Sequence, residues 1–256
     1  MRFCIGIDLH GTLLDKEWKI KAELEQKLIQ TLQHLKNFSK IYICSGNDLV
    51  FVNQYLSEEV RACFDGYILE TGCVISDKKH EKAIVQNEVI KKIKDLEIFL
   101  KNKQHKEVKY FARRLATISM FTQHEGKGDD PKSFFEKIKK EIAESRWAND
   151  VYVTHSDVAV DIIPRCHNKF TGLFNIAKGL PTIGIADSLN DLHLLKDAEY
   201  GFIPGNASPI LLYTLNNQGK QIYSLKNFNG QKGIYQSKCD HTQGVVEILQ
   251  SLKEKL

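Results

Sequence analysis

Paired cysteines are missing from this 256-residue chain. Its six cysteines (Cys4, Cys44, Cys63, Cys73, Cys166 and Cys239) show no CxxC-type spacing. That argues against both a disulfide framework and a thiolate metal site, and it fits a reducing, cytoplasmic setting. Cys4 and Cys44 fall inside apolar runs, where Cys acts as a small hydrophobe. No run of 18 apolar residues occurs, and no charged leader followed by an apolar stretch precedes the first strand pattern. We therefore expect a protein that is neither exported nor membrane-bound. The formal charge of +4 comes mostly from dispersed lysines on helical faces such as Lys91-Lys92-Ile93-Lys94. No basic motif interleaved with aromatics appears, so nucleic acid is not an expected partner. Internal repeats and low-complexity tracts are absent too, and His105 and His167 lack metal-ligand spacing with any Cys or His.

An apolar fraction of 42 % suffices for a packed core, in one large domain or two modest ones. The first third alternates strand and helix patterns. Residues 2–8 read as a buried strand, and Ile20, Leu24, Leu28, Leu32 and Leu35 recur at helical spacing over 20–36. Residues 39–44 read as a second strand. Asn47 stands where a cap would open a helix running to about 57, and 64–69 read as a third strand. Such alternation predicts a parallel sheet. The middle of the chain differs. A lysine-rich stretch carries an amphipathic helix near 88–101. Then come two strand-like segments around Tyr110-Phe111 and 116–121, and a helix over about 132–145. A hairpin, 151–153 with 158–163, closes around His155-Ser156-Asp157. This reads as an α+β insertion with an antiparallel sheet. Alternation returns with a helix at 169–179, a strand at 182–186, a further strand at 200–203 and a C-terminal helix near 242–254. The fold class expected is α/β: a doubly wound, Rossmann-like parallel-sheet core (1–75 and 165–256) with an inserted α+β cap domain (76–164).

The chemistry concentrates where strands end. Ile5-Gly6-Ile7-Asp8-Leu9-His10-Gly11-Thr12-Leu13 is an apolar strand ending in an acid, then a tight glycine turn and a hydroxyl. Asp8, Ser45, Lys169 and Asp187 each lie at or near a strand-to-loop junction. In a parallel sheet those junctions converge on one crevice. An acid, a hydroxyl, an ammonium and a second acid in one cavity suit phosphoryl transfer, which needs a nucleophile, a cation and donors to spread charge. Taken singly, each residue also has a plain structural use. Asp8 suits a turn, Ser45 or Asp191 a helix cap, and Lys169 a solvated helix start. Arg113 and Arg114 in the insertion read as a solvated pair, and strand alternation forbids both from pointing one way.

Four ordered motifs resemble the haloacid dehalogenase superfamily over nearly the whole chain. They are Asp8-Leu9-His10-Gly11-Thr12, Cys44-Ser45-Gly46-Asn47, Asn168-Lys169-Phe170-Thr171-Gly172 and Asp187-Ser188-Leu189-Asn190-Asp191. Gly205-Asn206-Ala207 and Asp161-Ile162-Ile163-Pro164 are similar to its large-capped branch of Cof-like hydrolases and sugar phosphatases. The resemblance implies a Mg²⁺-dependent phosphomonoesterase acting on a small phosphorylated metabolite, with sugar phosphates among the candidates. It implies Asp8 as nucleophile, and Mg²⁺ on Asp8, Asp187 and the main-chain carbonyl of His10. Ser45, the Gly46 N–H and Lys169 would hold phosphoryl oxygens, and Asn190 would serve the substrate and metal shell with Asp191. The family pattern has a second acid where this chain has His10. An imidazole there can carry both proton transfers. Two other readings stay open: a catalytically impaired phosphate-binding or regulatory protein, and a phosphomutase-like transferase.

Overall fold

A computed structural model describes residues 2–124, 127–128, 131–156 and 158–255. Asp157, at the expected hairpin turn, lies outside these residues. The chain forms two compact units, one from residues 1–81 and 168–256, the other from 82–167. Both junctions fall slightly later than the pattern change at 76 and 164. One reason is that the strand at Val74–Ser76 stays paired to its predecessor in the first unit.

In chain order, the first unit opens with β1 (Phe3–Asp8), α1 (Ala22–Lys36), β2 (Ser39–Cys44), α2 (Leu49–Tyr55), α3 (Glu58–Ala62), β3 (Gly66–Leu69) and β4 (Val74–Ser76), and β5 (Glu81–Ala83) begins at the last residue of that segment and continues into 82–167. The second unit holds α4 (Asn87–Asn102), β6 (Tyr110–Phe111), β7 (Ile118–Phe121), β8 (Gln123–His124), β9 (Lys127–Gly128), α5 (Pro131–Ala143), β10 (Val151–His155) and β11 (Ala159–Pro164). The chain then returns through α6 (Lys169–Ala177), β12 (Thr182–Ile185), α7 (Leu192–Lys196), β13 (Tyr200–Ile203), α8 (Pro209–Asn217), β14 (Ile222–Ser224), β15 (Gly233–Gln236) and α9 (His241–Lys255).

Among the described residues, nine strands form one sheet in the order β14-β15-β13-β12-β1-β2-β3-β4-β5. The pairs from β14 to β3 are parallel, and β3–β4 is antiparallel. β1 is buried along nearly its whole length, which is why it reads as a near-continuous apolar run. Cys4, Cys44, Ile68, Ala186 and Ile203 pack with Leu173, Leu194, Leu195, Leu211 and Leu215 of α6, α7 and α8. By strand alternation Ile5 and Ile7 point to the opposite face. The strand order reverses at β1, flanked by β2 on one side and β12 on the other. Open α/β sheets place their ligand crevice at such a switch point, beyond the carboxyl ends of the strands.

The second unit has its own core. Ile93, Leu96 and Leu100 of α4 and Phe134, Ile138 and Ile142 of α5 meet Ile118, Met120, Val160 and Ile162 on one face of an antiparallel sheet ordered β10-β11-β7-β6. β8 and β9 form a separate short ladder. The expected solvated arginine pair divides. Arg113 is exposed, whereas Arg114 is buried and its Nε donates to Ser119 Oγ (3.3 Å), which donates to Asp161 Oδ1 (2.5 Å). Arg114 thus has acceptors within its own unit, which permits its burial.

Candidate active site

β1 and its neighbours set the positions. Ile7 pairs with Ile185, so Asp8 and Asp187 follow from the ends of adjacent strands. Asp8 pairs with Cys44, and Ser45 is the next residue along. Beyond Asp8 the chain turns sharply at Gly11, whose φ is +82°. A Cβ there would also stand 2.6 Å from Asp187 Oδ2, so both conformation and space require glycine.

The Gly11 carbonyl is held from the far end of the chain. Asn206 Nδ2 donates to it (2.7 Å) and His241 Nδ1 lies 2.8 Å away, while Thr242 Oγ1 donates to the Leu13 carbonyl (2.6 Å). Lys169 is the first residue of α6. A capping box fixes that helix start: Asn168 Oδ1 accepts from the Thr171 N–H, and Thr171 Oγ1 accepts from the Asn168 N–H, each at 2.9 Å. The turn after β3 abuts this start. Glu70, Thr71 and Gly72 are all left-handed, and a Cβ on Gly72 would lie 1.9 Å from the Asn168 carbonyl oxygen.

These elements bring four charged groups together. Lys169 Nζ donates to Asp8 Oδ1 at 2.5 Å and forms an ion pair with Asp191. Asp8 and Lys169 are 4 % and 5 % exposed and Asp191 is 1 % exposed, so water does little to screen them. Asp8, Asp187 and Asp191 each present an oxygen within 4.8 Å of the others. Thr12 Oγ1 reaches both Asp8 Oδ2 (2.9 Å) and Asp187 Oδ1 (2.8 Å). One hydroxyl proton cannot fully serve two carboxylates. Burial, then the Asp8 and Asp191 charges, push the Asp187 carboxyl up to about 7. Burial and the Asp8 charge push Asp191 up to about 6. Burial works against the Lys169 ammonium, but Asp191 and Asp8 outweigh it and hold the group above the ordinary lysine value.

Three clustered carboxylates against one lysine leave negative charge uncompensated. Asp191 Oδ1 is buried and already faces the Lys169 ammonium. A hard divalent cation with oxygen ligands fits the surplus negative charge, so Asp8, Asp187 and Asp191 are a set that could hold a metal.

Ser45 is buried, and its Oγ accepts from the Asn47 N–H (3.0 Å). It does not cap α2. Asp48 does, accepting from the Phe51 N–H (3.0 Å), one residue beyond the Asn47 read from sequence. Gly46 is exposed just past Ser45, and a Cβ there would meet only Thr71 Oγ1, at 3.5 Å. Asn190 is exposed in the short 3₁₀ turn Leu189–Asp191. Asp191 sits at the cap position of α7 without capping it. Its side chain instead accepts from Ser188 Oγ (2.7 Å) and faces Lys169. His10 is exposed, with its ring edge-to-face against Trp18 (centroids 5.5 Å apart). Thr12 as a bridge between two acids, and Asn206 and His241 as braces of the turn, were not anticipated. The hydroxyl at position 12 was visible in the motif, but the braces had no local signal.

The sequence profile of the haloacid dehalogenase-like hydrolases matches residues 5–145 and 101–224. The chain belongs to that family of hydrolases. Similar folds include the sucrose-phosphatase of Synechocystis sp. PCC6803, solved with sucrose and phosphate, at TM-score 0.70 and 16 % identity over 99 % of each chain. They also include a haloacid dehalogenase-like hydrolase from Bacteroides thetaiotaomicron, at TM-score 0.65 and 15 % identity over 98 % of this chain and 99 % of that one. No curated protein matches the chain by sequence. Among the described residues no helix is long and apolar enough to cross a membrane.

Proposed function

We propose that this hydrolase is a Mg²⁺-dependent phosphomonoesterase that works through an aspartyl-phosphate on Asp8. Its substrate is a small phosphorylated metabolite, with sugar phosphates the first class to test, and it acts in the cytoplasm. One observation carries the reading: a buried carboxylate at the switch point is gripped by Lys169 and Thr12 and faced by two further acids. A resident lysine beside an acid lowers the repulsion that an incoming phosphate dianion meets.

An Asp8 oxygen attacks phosphorus and the bond to the alcohol oxygen breaks. Protonated His10 gives its proton to that oxygen, so the leaving group departs as an alcohol. Neutral His10 then takes a proton from water as the water oxygen attacks phosphorus. The Asp8–phosphorus bond breaks, and free carboxylate and inorganic phosphate result. Lys169, the Ser45 hydroxyl and the Gly46 N–H hold the phosphoryl oxygens. Asp8, Asp187 and the His10 main-chain carbonyl would hold Mg²⁺, with Asp191 and Asn190 ordering its surroundings. When bound, Mg²⁺ supplies positive charge that masks repulsion between carboxylate and phosphate.

The test is Mg²⁺-dependent phosphate release from a panel of sugar phosphates by wild type, Asp8→Asn and His10→Asp. Active wild type with inert Asp8→Asn is the expected result. Turnover that survives Asp8→Asn removes the nucleophile from the scheme. An inert wild type beside an active His10→Asp would instead mark a phosphate-binding protein that has lost catalysis.

A further inference from the structure

Trp18 stands out beside this site. Its φ is +62°, a left-handed conformation that a bulky side chain rarely adopts and that costs about 1–3 kcal/mol. The loop is built to hold it there. Asp15 Oδ1 accepts from the N–H groups of Glu17 (2.8 Å) and Lys19 (3.0 Å), the Trp18 N–H donates to the Asp15 carbonyl (3.0 Å), and the Asp15 N–H donates to the Lys19 carbonyl (3.0 Å). The indole is wedged from behind by α2: Tyr55 lies 4.9 Å and Phe51 5.5 Å from it between ring centroids, and those two rings are themselves 4.5 Å apart. Its other ring neighbour is His10, at 82° and 5.5 Å. Both elements that supply these rings follow directly from motif strands, the first from β1 through Asp8, the second from β2 through Ser45. Filling a surface gap would not require a strained backbone. Here the strained residue sets its indole edge-to-face against the His10 imidazole, and a reacting group held in one geometry keeps its catalytic reach.

We propose that Trp18 is a positioning residue for His10, its indole fixing the orientation from which the imidazole serves the Asp8 site. The proposal rests on the phosphatase reading above, with Trp18 acting through His10 and not on the substrate. A Trp18→Leu variant is expected to lower kcat/KM by about 10–10²-fold for alkyl phosphates, whose alkoxide needs a proton to leave. The loss is expected to be much smaller for p-nitrophenyl phosphate, whose leaving group departs unprotonated. On a His10→Ala background Trp18→Leu should cost nothing further. Trp18→Phe should restore most of the activity, and Trp18→Met serves in place of Trp18→Leu if the latter fails to fold. The His10 ring-proton resonances, assigned by their loss in His10→Ala, should be displaced by the indole ring current in wild type. They should relax toward ordinary values in Trp18→Leu, a readout independent of turnover.

An equal loss with both substrates, an equal loss on the His10→Ala background, or undisplaced ring protons in wild type would each overturn the positioning role and leave the phosphatase reading standing. A wild type inert toward every phosphate ester would overturn the phosphatase reading, and the positioning role with it.

Discussion

Asp187 and Gly11 lie so close that one extra methyl group on Gly11 would strike a carboxylate oxygen. Gly11→Ala is expected to cost about 1–3 kcal/mol from its left-handed backbone alone. It should also push Asp187 away, so phosphate release would need more Mg²⁺. Chemical denaturation and a Mg²⁺ titration of turnover measure the two effects. Lys169→Met removes the ammonium that grips Asp8, and kcat is expected to fall about 10²–10³-fold. An unchanged kcat would show that the lysine is structural. The placement of these residues in one cluster was unevenly legible. Asp8, Lys169 and Asp187 announced themselves by type and place. Asp191 did not, because an acid before a helix is ordinarily a cap, and only its ion pair with Lys169 shows otherwise.

At the scale of elements, the turn after β3 and the start of α6 act as one piece. Three successive left-handed residues, Glu70, Thr71 and Gly72, are kept in that shape where Gly72 meets the Asn168 carbonyl. Gly72→Ala would force the start of α6 outward and carry Lys169 with it. We expect a stability loss of at least ~1–3 kcal/mol in urea unfolding, together with a drop in kcat. A stable variant with lost activity would separate the positioning of Lys169 from the folding of the turn. The parallel strands were readable because burial on both faces makes them continuous apolar runs. Ends of elements were less readable. The cap of α2 moved from Asn47 to Asp48 because both residue types cap helices equally well, and only the path of the loop distinguishes them.

For the whole molecule, the raised carboxyls of the acid cluster make stability depend on pH, and a cation held there would add to that dependence. Burial, reinforced by the neighbouring acids, pushes the Asp187 carboxyl up to about 7 and Asp191 up to about 6, from an ordinary value of 3.8. Their protonation therefore favours the folded state. That stability is present in full below about 3.8 and is lost as pH rises through 6 to 7. The metal-free protein should accordingly show a Tm that declines between pH 5 and pH 8. Mg²⁺ should raise Tm more at pH 8 than at pH 5.5, because protons compete with the cation for the same oxygens. Thermal unfolding with and without Mg²⁺ at the two pH values checks this. An equal Mg²⁺ effect at both would mean that the cluster does not bind the ion.

Local pattern by itself determined the alternation of strands and helices, the change of pattern in the middle of the chain and the order of the four motif segments. Each of these is a property of neighbouring residues: burial, turn chemistry and helix spacing act over a few positions. Which groups touch was decided only in three dimensions. Thr12 meets Asp187 across 175 residues, and His241 holds the Gly11 carbonyl across 230. Trp18 meets the rings of a helix that begins beyond a second strand. Contacts at such separations depend on strand order and helix packing, and no periodicity or spacing along the chain encodes them.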